Sequence, residues 1–400
     1  MERAAKEKDM PVVEKDSALH NKMTEWRHAF HMNPELAYDE YRTAELIEEV
    51  LIGANLEPTT GIGKTGIVAT LKGQLGNGKS IGIRADMDAL PMVELNKFNH
   101  RSRVDGRMHA CGHDGHTAML MGAAVALANN PQFFGEVHFI FQPAEEGAAG
   151  AKAMIDDGLF NQFPAQQVFS LHNWPKLKIG EAAVHEGPVM ASYNTFKIRI
   201  HGKGCHAAMP HQGTDPILAM GHMITALNSI IGRNIDPLES GVISLTQVEG
   251  GQSYNVIPEV VELKGSVRTF SKEIQQLIKK RIEEIASSVG AAMNCDIEFE
   301  FQNTYPATIN TENEVQICNR VLKSTVGISK VFTNLEPSMA SEDFSYMLKD
   351  RGGTYIWLGS GRSDSAHGLH SPYYDFDDET LYIGANYWVG LVYELLGKRS

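Results

Sequence analysis

The sequence predicts an α/β protein of two domains, with the second domain inserted into the first. Short apolar runs alternate with helical segments up to residue 187 and resume towards the C-terminus. Such alternation is typical of a mainly parallel sheet covered by helices. From residue 188 to 302 the order becomes βαββαβ, which is the split-βαβ or ferredoxin-like arrangement. We therefore predict a discontinuous first domain, 1–187 and 303–400, and an inserted domain, 188–302.

The elements of the first domain follow from the spacing of apolar residues. A helix from about Ser17 places Met23 and Phe30 on one face, and Pro34 ends it. A second helix runs from about Asp39 to Leu51. The remaining predicted elements are the strands Ile67–Leu71, Ile81–Ala85, Val137–Phe141 and Val168–Leu171, and the helices Thr117–Ala128 and Thr380–Leu396.

The inserted domain shows both periods in turn. Phe196, Ile198 and Ile200 alternate with charged residues, which predicts a half-buried strand. Apolar residues at helical spacing predict two helices, Ile217–Ile231 and Ile274–Val289. The other predicted strands are Val242–Val248, Val260–Arg268 and Ile297–Gln302.

Composition restricts the possible partners and the compartment. A formal net charge of −13 argues against nucleic-acid and anionic-membrane partners. No apolar run approaches the roughly 20 residues of a membrane helix. The charged start, MERAAKEKDM, lacks the apolar core of a secretory signal, and the four cysteines form no paired framework. These observations predict a cytoplasmic protein.

Two glycine patterns suggest nucleotide binding, and both are rejected. Gly61, Gly63 and Gly66 match GxGxxG, but residues 67–71 look like a strand where a dinucleotide site needs a helix. A phosphate loop needs glycine five positions before Gly63, where Pro58 stands. The glycines therefore predict a turn between a helix and a strand, and a nucleotide-dependent oxidoreductase has no other support.

The densest set of metal-ligand side chains lies in Met108–His116, which reads MHACGHDGH. Thiolate, imidazole and carboxylate are the groups that hold zinc-like ions. Cys111 and His113 are two positions apart, so in extended backbone they would point to the same side. Three histidines and a cysteine within eight residues are hard to explain by packing alone. The segment predicts a metal site.

Paired carboxylates follow two of the predicted strands. Glu145 and Glu146 come after the strand that ends at Phe141. Beside a metal ion, one of them can bind the ion while the other remains free as a base. Asp86 and Asp88 follow the strand Ile81–Ala85, where they can bind metal or orient a ligand imidazole.

Two isolated histidines complete the set. His172 follows the predicted strand Val168–Leu171, and His370 lies in a loop before the final helix. Open α/β sheets build their sites at the carboxyl ends of strands, so we expect these clusters to meet. Most of the other histidines are interpreted as surface or packing residues, with His206 as an exception.

At these residues the sequence resembles the metallopeptidase family that includes hippurate hydrolase, aminoacylase and the plant auxin-conjugate hydrolases. The resemblance runs from about Trp26 to the C-terminus. The stretches that carry it are RADMDALPM, MHACGHDGHTAMLMGAA, FQPAEEGAAGAKAMIDDG, SLHNWP, GKGCHAAMPH, NVIP, SMASEDFSYML and HSPYYDFDD. It implies a zinc-peptidase-like α/β/α catalytic domain with an inserted ferredoxin-like lid and dimerisation domain.

The resemblance also implies a role for each matching position. It implies two divalent ions, zinc, manganese, cobalt or nickel, with the Cys111 thiolate shared between them. Glu145 matches the general base, and Asp88 matches the aspartate that orients a ligand. Asp86 stands where many distant relatives have a metal-binding histidine, which leaves its role open. The implied metal ligands are Cys111, His113, Glu146, His172 and His370.

The lid residues have implied roles as well. Asn255 and Arg268 match positions that contact substrate, and arginine can grip a substrate carboxylate with a two-pronged bond. His206 matches a lid histidine that reaches the neighbouring subunit's site, so we expect a homodimer or homotetramer formed through the lid. Cys205 stands where many close relatives have glycine, and its role is open.

The expected reaction is hydrolysis of a small N-acyl amino acid to a carboxylic acid and a free amino acid. N-acetyl-diaminopimelate deacetylase, dipeptidase and carbamoylase use similar parts and remain alternatives within the family. A metal-binding protein without catalysis is the alternative from another class. The Glu145–Glu146 pair argues against it, because one acid is enough to hold an ion.

Overall fold

The structure is a computed structural model that describes residues 10–361 and 367–397. Residues 1–9, most of the charged start from which cytoplasmic location was predicted, lie outside the described part of the chain. The α-helices are α1 (Ala18–Met32), α2 (Tyr41–Gly53), α3 (His113–Asn129), α4 (Glu145–Ala148), α5 (Gly150–Asp156), α6 (Leu159–Gln162), α7 (Pro216–Leu227), α8 (Ser229–Asn234), α9 (Lys272–Ala292), α10 (Glu312–Val326), α11 (Ser345–Arg351) and α12 (Glu379–Leu396).

The strands are β1 (Pro58–Ile62), β2 (Gly66–Lys72), β3 (Ser80–Asp86), β4 (Glu136–Gln142), β5 (Gln167–Lys178), β6 (Ala182–Ala183), β7 (Gly187–Met190), β8 (Tyr193–His201), β9 (Cys205–His206), β10 (Gly241–Gly250), β11 (Val256–Ile257), β12 (Val260–Thr269), β13 (Asp296–Tyr305), β14 (Thr308–Asn310), β15 (Val331–Phe332) and β16 (Gly353–Gly361). The chain divides into two compact units. The first comprises the described residues of Met1–Val189, Ile309–Glu336 and Asp343–Ser400, and the second comprises Met190–Thr308 with Pro337–Glu342.

The first unit is built on one mixed sheet with the strand order β1-β2-β4-β3-β5-β16-β6-β15. Its four central strands, β4, β3, β5 and β16, run parallel, in agreement with the predicted mainly parallel sheet. The predicted strand Ile67–Leu71, however, belongs to β2, which pairs antiparallel with β4. The pairs β1–β2, β2–β4 and β16–β6 are antiparallel. The turn at Gly61 and Gly63 therefore joins two antiparallel strands, and the prediction that a helix precedes it is wrong.

Of the central strands, β3, β4 and β16 are buried along almost their whole length, and β5 is buried from Val168 to Asn173, because both faces of the sheet are covered there. Only the first residue of β3 and of β4 is partly exposed, and β16 is buried up to Ser360. Continuous burial of this kind is the mark of a parallel sheet between two helix layers. The helix α3 is buried along nearly all of its length and packs against α1 and α12.

The second unit has the predicted βαββαβ order, which confirms the ferredoxin-like arrangement. Its four strands pair antiparallel in the order β10-β12-β8-β13. Apolar residues of α7 and α9 pack on one face of this sheet in a separate core around Ile198, Leu263 and Ile282. The other face of the sheet carries polar side chains that form ion pairs such as Arg199–Glu262.

Within the described residues, no helix combines the length and the apolar character that crossing a bilayer requires.

Candidate metal centre

The predicted site residues of the first unit meet beside the carboxyl ends of the central strands. Asp86 is the last residue of β3, and Asp88 follows it closely. Glu145 and Glu146 come shortly after β4. His172, however, lies inside β5, which continues to Lys178, so the prediction that this strand ends before His172 is wrong. The strand is longer because β16 pairs with it beyond that point.

A glycine in the left-handed conformation sets the geometry between Cys111 and His113. Gly112 has φ of 99° and immediately precedes α3, whose first residue is His113. The expectation of extended backbone is therefore wrong at this point. A Cβ atom on Gly112 would lie 2.2 Å from Asn173 Oδ1. The sharp turn lets loop and helix offer the Cys111 thiol and the His113 imidazole to one place, and only glycine fits there.

Six side chains, the five expected ligands and Glu145, converge there in overlapping groups. In each group, one candidate ligand atom per residue lies within 4.8 Å of the others. Cys111 Sγ is 3.4 Å from His172 Nε2, and His370 Nε2 is 3.3 Å from Glu146 Oε1. Three of these groups are Cys111–His113–His172, Cys111–Glu146–His370 and His113–Glu145–Glu146, and another, Asp86–His113–His116, shares His113. The structure thus brings all five expected ligands together.

Asp88 holds two of these residues in place. The His113 Nδ1–H group donates to the Asp88 backbone oxygen at 2.9 Å and to Oδ1 at 3.2 Å. The Glu146 backbone N–H donates to Asp88 Oδ2 at 2.9 Å. A hydrogen bond at Nδ1 selects the tautomer whose Nε2 lone pair is available to an ion. His172 is prepared in the same way, because its Nδ1 donates to the Asn173 carbonyl at 2.8 Å.

His370 reaches the group from a strained loop. It has φ of 61°, which is unfavourable for a residue with a Cβ atom. Its backbone N–H donates to Ala110 O at 2.8 Å, and this bond ties the His370 loop to the loop that carries Cys111. Backbone strain that tertiary contacts maintain is a recurrent feature of functional sites.

The donor set fits divalent metal ions. His113 Nε2 is buried without a hydrogen-bond partner among the described residues, and Asp86 Oδ2 lies 3.7 Å from it. Burial and the negative charge of Glu146 raise the pKa of the Cys111 thiol well above its usual value. A bound cation would supply the charge that holds this buried thiol as a thiolate. Sulfur, imidazole nitrogen and carboxylate oxygen together suit zinc and its neighbours in the first transition row.

Asp86, whose role is open from sequence, contacts charged groups next to the expected ligands. Asp86 Oδ1 lies 2.6 Å from His116 Nδ1, and Oδ2 accepts from Arg84 Nη1 at 2.7 Å. Burial alone would raise the pKa of the Asp86 carboxyl, but Arg84, His113 and His116 outweigh burial and hold the pKa well below its usual value. Neither Arg84 nor His116 was predicted as a site residue. The available signal for Arg84 was a charge inside the apolar strand IGIRA.

A second buried charge network, also missed, lies on the core face of α1. Arg27 Nε is 3.3 Å from Asp114 Oδ2, and His31 Nδ1 is 2.8 Å from the same oxygen, with all three side chains 0% exposed. Arg27 also contacts Asp375 at 2.6 Å and Asp378 at 3.1 Å. The network joins α1 both to the helix that begins at His113 and to the loop after His370. The signal was Arg27 at helical spacing between Met23 and Phe30.

The other three expected site residues belong to the second unit. The short strands β9 and β11 place His206 opposite Val256, next to Asn255, whose carbonyl accepts from the Ala207 N–H at 3.0 Å. Ala208 N–H donates to His206 Nδ1 at 3.1 Å, and the His206 side chain is exposed.

Arg268 is half-buried near the end of β12. Its Nη1 donates to Ser341 Oγ at 2.8 Å, and its guanidinium lies 4.1 Å from the centre of the Tyr193 ring.

The sequence is similar to known proteins along most of its length. Residues 82–394 match the model of the family described as peptidase family M20/M25/M40. The chain is 38% identical to the hippurate hydrolase of Campylobacter jejuni over 371 residues, which cover 92% of this chain and 95% of that protein. It is 37% identical to the N-acetylcysteine deacetylase of Bacillus subtilis over 381 residues, covering 94% and 97% of the two chains.

A solved structure is also similar along its whole length. The YXEP protein of Bacillus subtilis, described as a dinuclear metal binding peptidase from the M20 family, superposes with a TM-score of 0.82 at 34% identity. The superposition covers 94% of this chain and 98% of that protein. The predicted α/β fold class is thereby confirmed.

Proposed function

The chain belongs to peptidase family M20/M25/M40, and from this premise we propose that it is a metal-dependent amidohydrolase of N-acyl amino acids. The two relatives above are a hippurate hydrolase and an N-acetylcysteine deacetylase. Each name identifies a substrate that is an amino acid with an acyl group on its nitrogen. An N-acetyl-diaminopimelate deacetylase or a dipeptidase is not favoured over this broader class.

The convergence of five ligand side chains carries the proposal. We assign two divalent ions, zinc, manganese, cobalt or nickel, to Cys111, His113, Glu146, His172 and His370. Cys111 belongs to two of the groups whose ligand atoms lie within 4.8 Å of one another, one with His172 and one with His370. That overlap supports its assignment as the shared ligand.

The reaction requires a base and an oriented site. Bound divalent ions supply Lewis acidity to the attacking water and to the amide carbonyl. Glu145, 7% exposed and grouped with His113 and Glu146, takes the proton of the water at its carboxylate and returns it to the leaving nitrogen. Asp88 keeps His113 and the Glu146 backbone in place throughout. The products are a carboxylic acid and a free amino acid.

Arg268 and Asn255 are proposed to contact the substrate carboxylate. A guanidinium binds a carboxylate through two parallel hydrogen bonds. Burial lowers the pKa of Arg268, which indicates incomplete hydration, and an incompletely hydrated cation gains more from an anionic ligand.

We further propose that the protein acts as a dimer formed through the second unit, which we call the lid. In this dimer His206 of one subunit completes the active site of the other. The strand β10 is an edge of its sheet, and exposed edges commonly pair with a second copy. Val248, Val256 and Tyr254 of the same unit are apolar and more than half exposed. An imidazole such as His206 can donate a hydrogen bond to the oxyanion.

Mixing two inactive variants tests the contribution across the dimer. Mixed dimers of Glu145→Gln and His206→Ala subunits should each regain one working site. Absence of recovery in verified mixed dimers, with both parents folded and metal-loaded, would exclude this arrangement.

A cytoplasmic location is part of the proposal. It rests on the composition and on the four cysteines, all within the described residues, which are free of disulfide bonds.

The central test is metal removal. Protein treated with a chelator should lose hydrolysis of acetyl, benzoyl and indole-acetyl amino acids and should regain it on addition of a divalent ion. Full activity in protein shown to be metal-free would refute the proposal. Metal binding without hydrolysis of any of these substrates would favour the alternative of a non-catalytic metal-binding protein.

A further inference from the structure

The loop that carries Glu145 is held in an unfavourable conformation. Ala144 and Ala149 flank the segment and lie in the left-handed region, with φ of 56° and 57°. Residues with a Cβ atom adopt that region only where surrounding contacts maintain it. The contacts that maintain this loop therefore determine where the Glu145 carboxylate lies.

Asp343 makes several of these contacts, one with the Glu145 side chain and others at the two ends of the loop. Its backbone N–H donates to Glu145 Oε1 at 3.3 Å. Its carboxylate accepts from Gln142 Nε2 at 2.8 and 3.0 Å, just before the loop, and from the Ala151 N–H at 2.8 Å, just after it. The side chain of Asp343 is 0% exposed. One buried carboxylate thus spans the loop while the peptide of the same residue contacts Glu145.

Arg84 holds Asp343 in turn. Its Nη2 donates to Asp343 Oδ1 at 3.1 Å, and its Nε donates to Gln142 Oε1 at 2.7 Å. Its Nη1 reaches Asp86, beneath the metal ligands. Arg84, Gln142 and the Ala151 N–H all act as donors to the Asp343 carboxylate. In a buried network of this kind, a change at one member disturbs the positions of the others.

We propose that Asp343 is a positioning residue that fixes the carboxylate of Glu145 for proton transfer. The inference rests on the proposed role of Glu145 as the general base. Asp343 acts through Glu145 and the loop 142–151, and it has no assigned contact with substrate or metal. Small displacements of a catalytic group reduce turnover strongly while leaving substrate binding largely intact.

The test is a double-mutant cycle between Asp343→Asn and Glu145→Gln. Asp343→Asn keeps the shape of the side chain but replaces one carboxylate oxygen with an NH₂ donor, which then faces the donors Arg84, Gln142 and the Ala151 N–H. We expect Asp343→Asn to lower kcat by roughly tenfold to a hundredfold, with KM within about twofold and bound metal unchanged. In the Glu145→Gln background the same substitution should lower kcat by less than about threefold, because residues that act as a unit are non-additive.

A matched control and a milder variant accompany the cycle. Glu314 is also a buried carboxylate of this unit, hydrogen-bonded to Gln167 and Thr311. Glu314→Gln should leave kcat unchanged. Gln142→Met removes, at similar volume, the two hydrogen bonds to Asp343 and those with Arg84 and Pro143. It keeps the Asp343 carboxylate with its bonds from Arg84 and the Ala151 N–H, so it should show a smaller loss of kcat with the same dependence on Glu145. This variant also keeps the inference testable if Asp343→Asn does not fold.

Specific outcomes would overturn the inference. An equal loss of kcat in both backgrounds, or a loss that follows metal content, would show a structural role instead. A rise in KM with kcat unchanged would also contradict it. A wild-type kcat in Asp343→Asn, with Glu145→Gln inactive, would refute the positioning role alone. A wild-type kcat in Glu145→Gln would instead refute the proposed role of Glu145 as the base.

Discussion

Arg27→Met should destabilise the first unit far more than a typical loss of an ion pair. Arg27 is 0% exposed and contacts Asp114, which is also 0% exposed, as well as Asp375 and Asp378, which are 20% and 32% exposed. Without Arg27 the two outer carboxylates can gain water, whereas Asp114 keeps a buried charge with His31 as its remaining described partner. Removing one member of a buried ion pair costs about 3–5 kcal/mol.

This free energy sets the expected result of denaturation. At roughly 2 °C per kcal/mol for a large domain, the midpoint of thermal unfolding should fall by about 6–10 °C. Each variant should be measured at the same metal concentration, because a ligand that binds only the folded state shifts the apparent stability. Urea titration should show the same loss as a lower midpoint.

Arg320→Met is the matched control. Arg320 is 58% exposed and pairs with Glu394 at 3.2 Å, so the same substitution there should cost less than about 1 kcal/mol. If Arg27→Met were no more destabilising than Arg320→Met, the energetic importance assigned to the buried network would be wrong.

Four further substitutions test the site and the pH dependence of stability. Glu145→Gln should keep its metal but lose turnover by about 100-fold or more, whereas Glu146→Gln should bind metal more weakly. Wild-type turnover in Glu145→Gln would exclude Glu145 as the base. Arg268→Ala should raise KM for an N-acyl amino acid more than for its amide, and equal effects would remove the carboxylate role. Burial alone would lower the pKa of His31, but hydrogen bonds to Asp114 and Glu94 raise it from 6.5 to about 9. Between about pH 6.5 and pH 9 the folded protein therefore keeps a proton on His31 that the unfolded chain releases. The free energy of unfolding should fall by up to about 3 kcal/mol as pH rises through this range. A similar fall in His31→Gln would contradict this assignment.

The amino-acid sequence alone was enough to predict the fold class and the five candidate metal ligands. Side chains repeat their direction every two residues in a strand and about every 3.6 residues in a helix, so local spacing was enough to predict the βαββαβ unit. Part of the candidate site was also visible locally, because Cys111–His113 and Glu145–Glu146 are close neighbours in the chain, whereas His172 and His370 are isolated.

Only the tertiary structure decided where the strands end and how the buried charges are paired. The strand β5 continues past His172 because β16 pairs with it there, and β16 is absent from the strands predicted by periodicity. Arg84 has its partner Asp343 at a separation of 259 residues, and Arg27 has its partner Asp375 at 348. Local spacing records which way a side chain points, whereas the partner of a buried charge is set by chain segments that meet only when the protein folds.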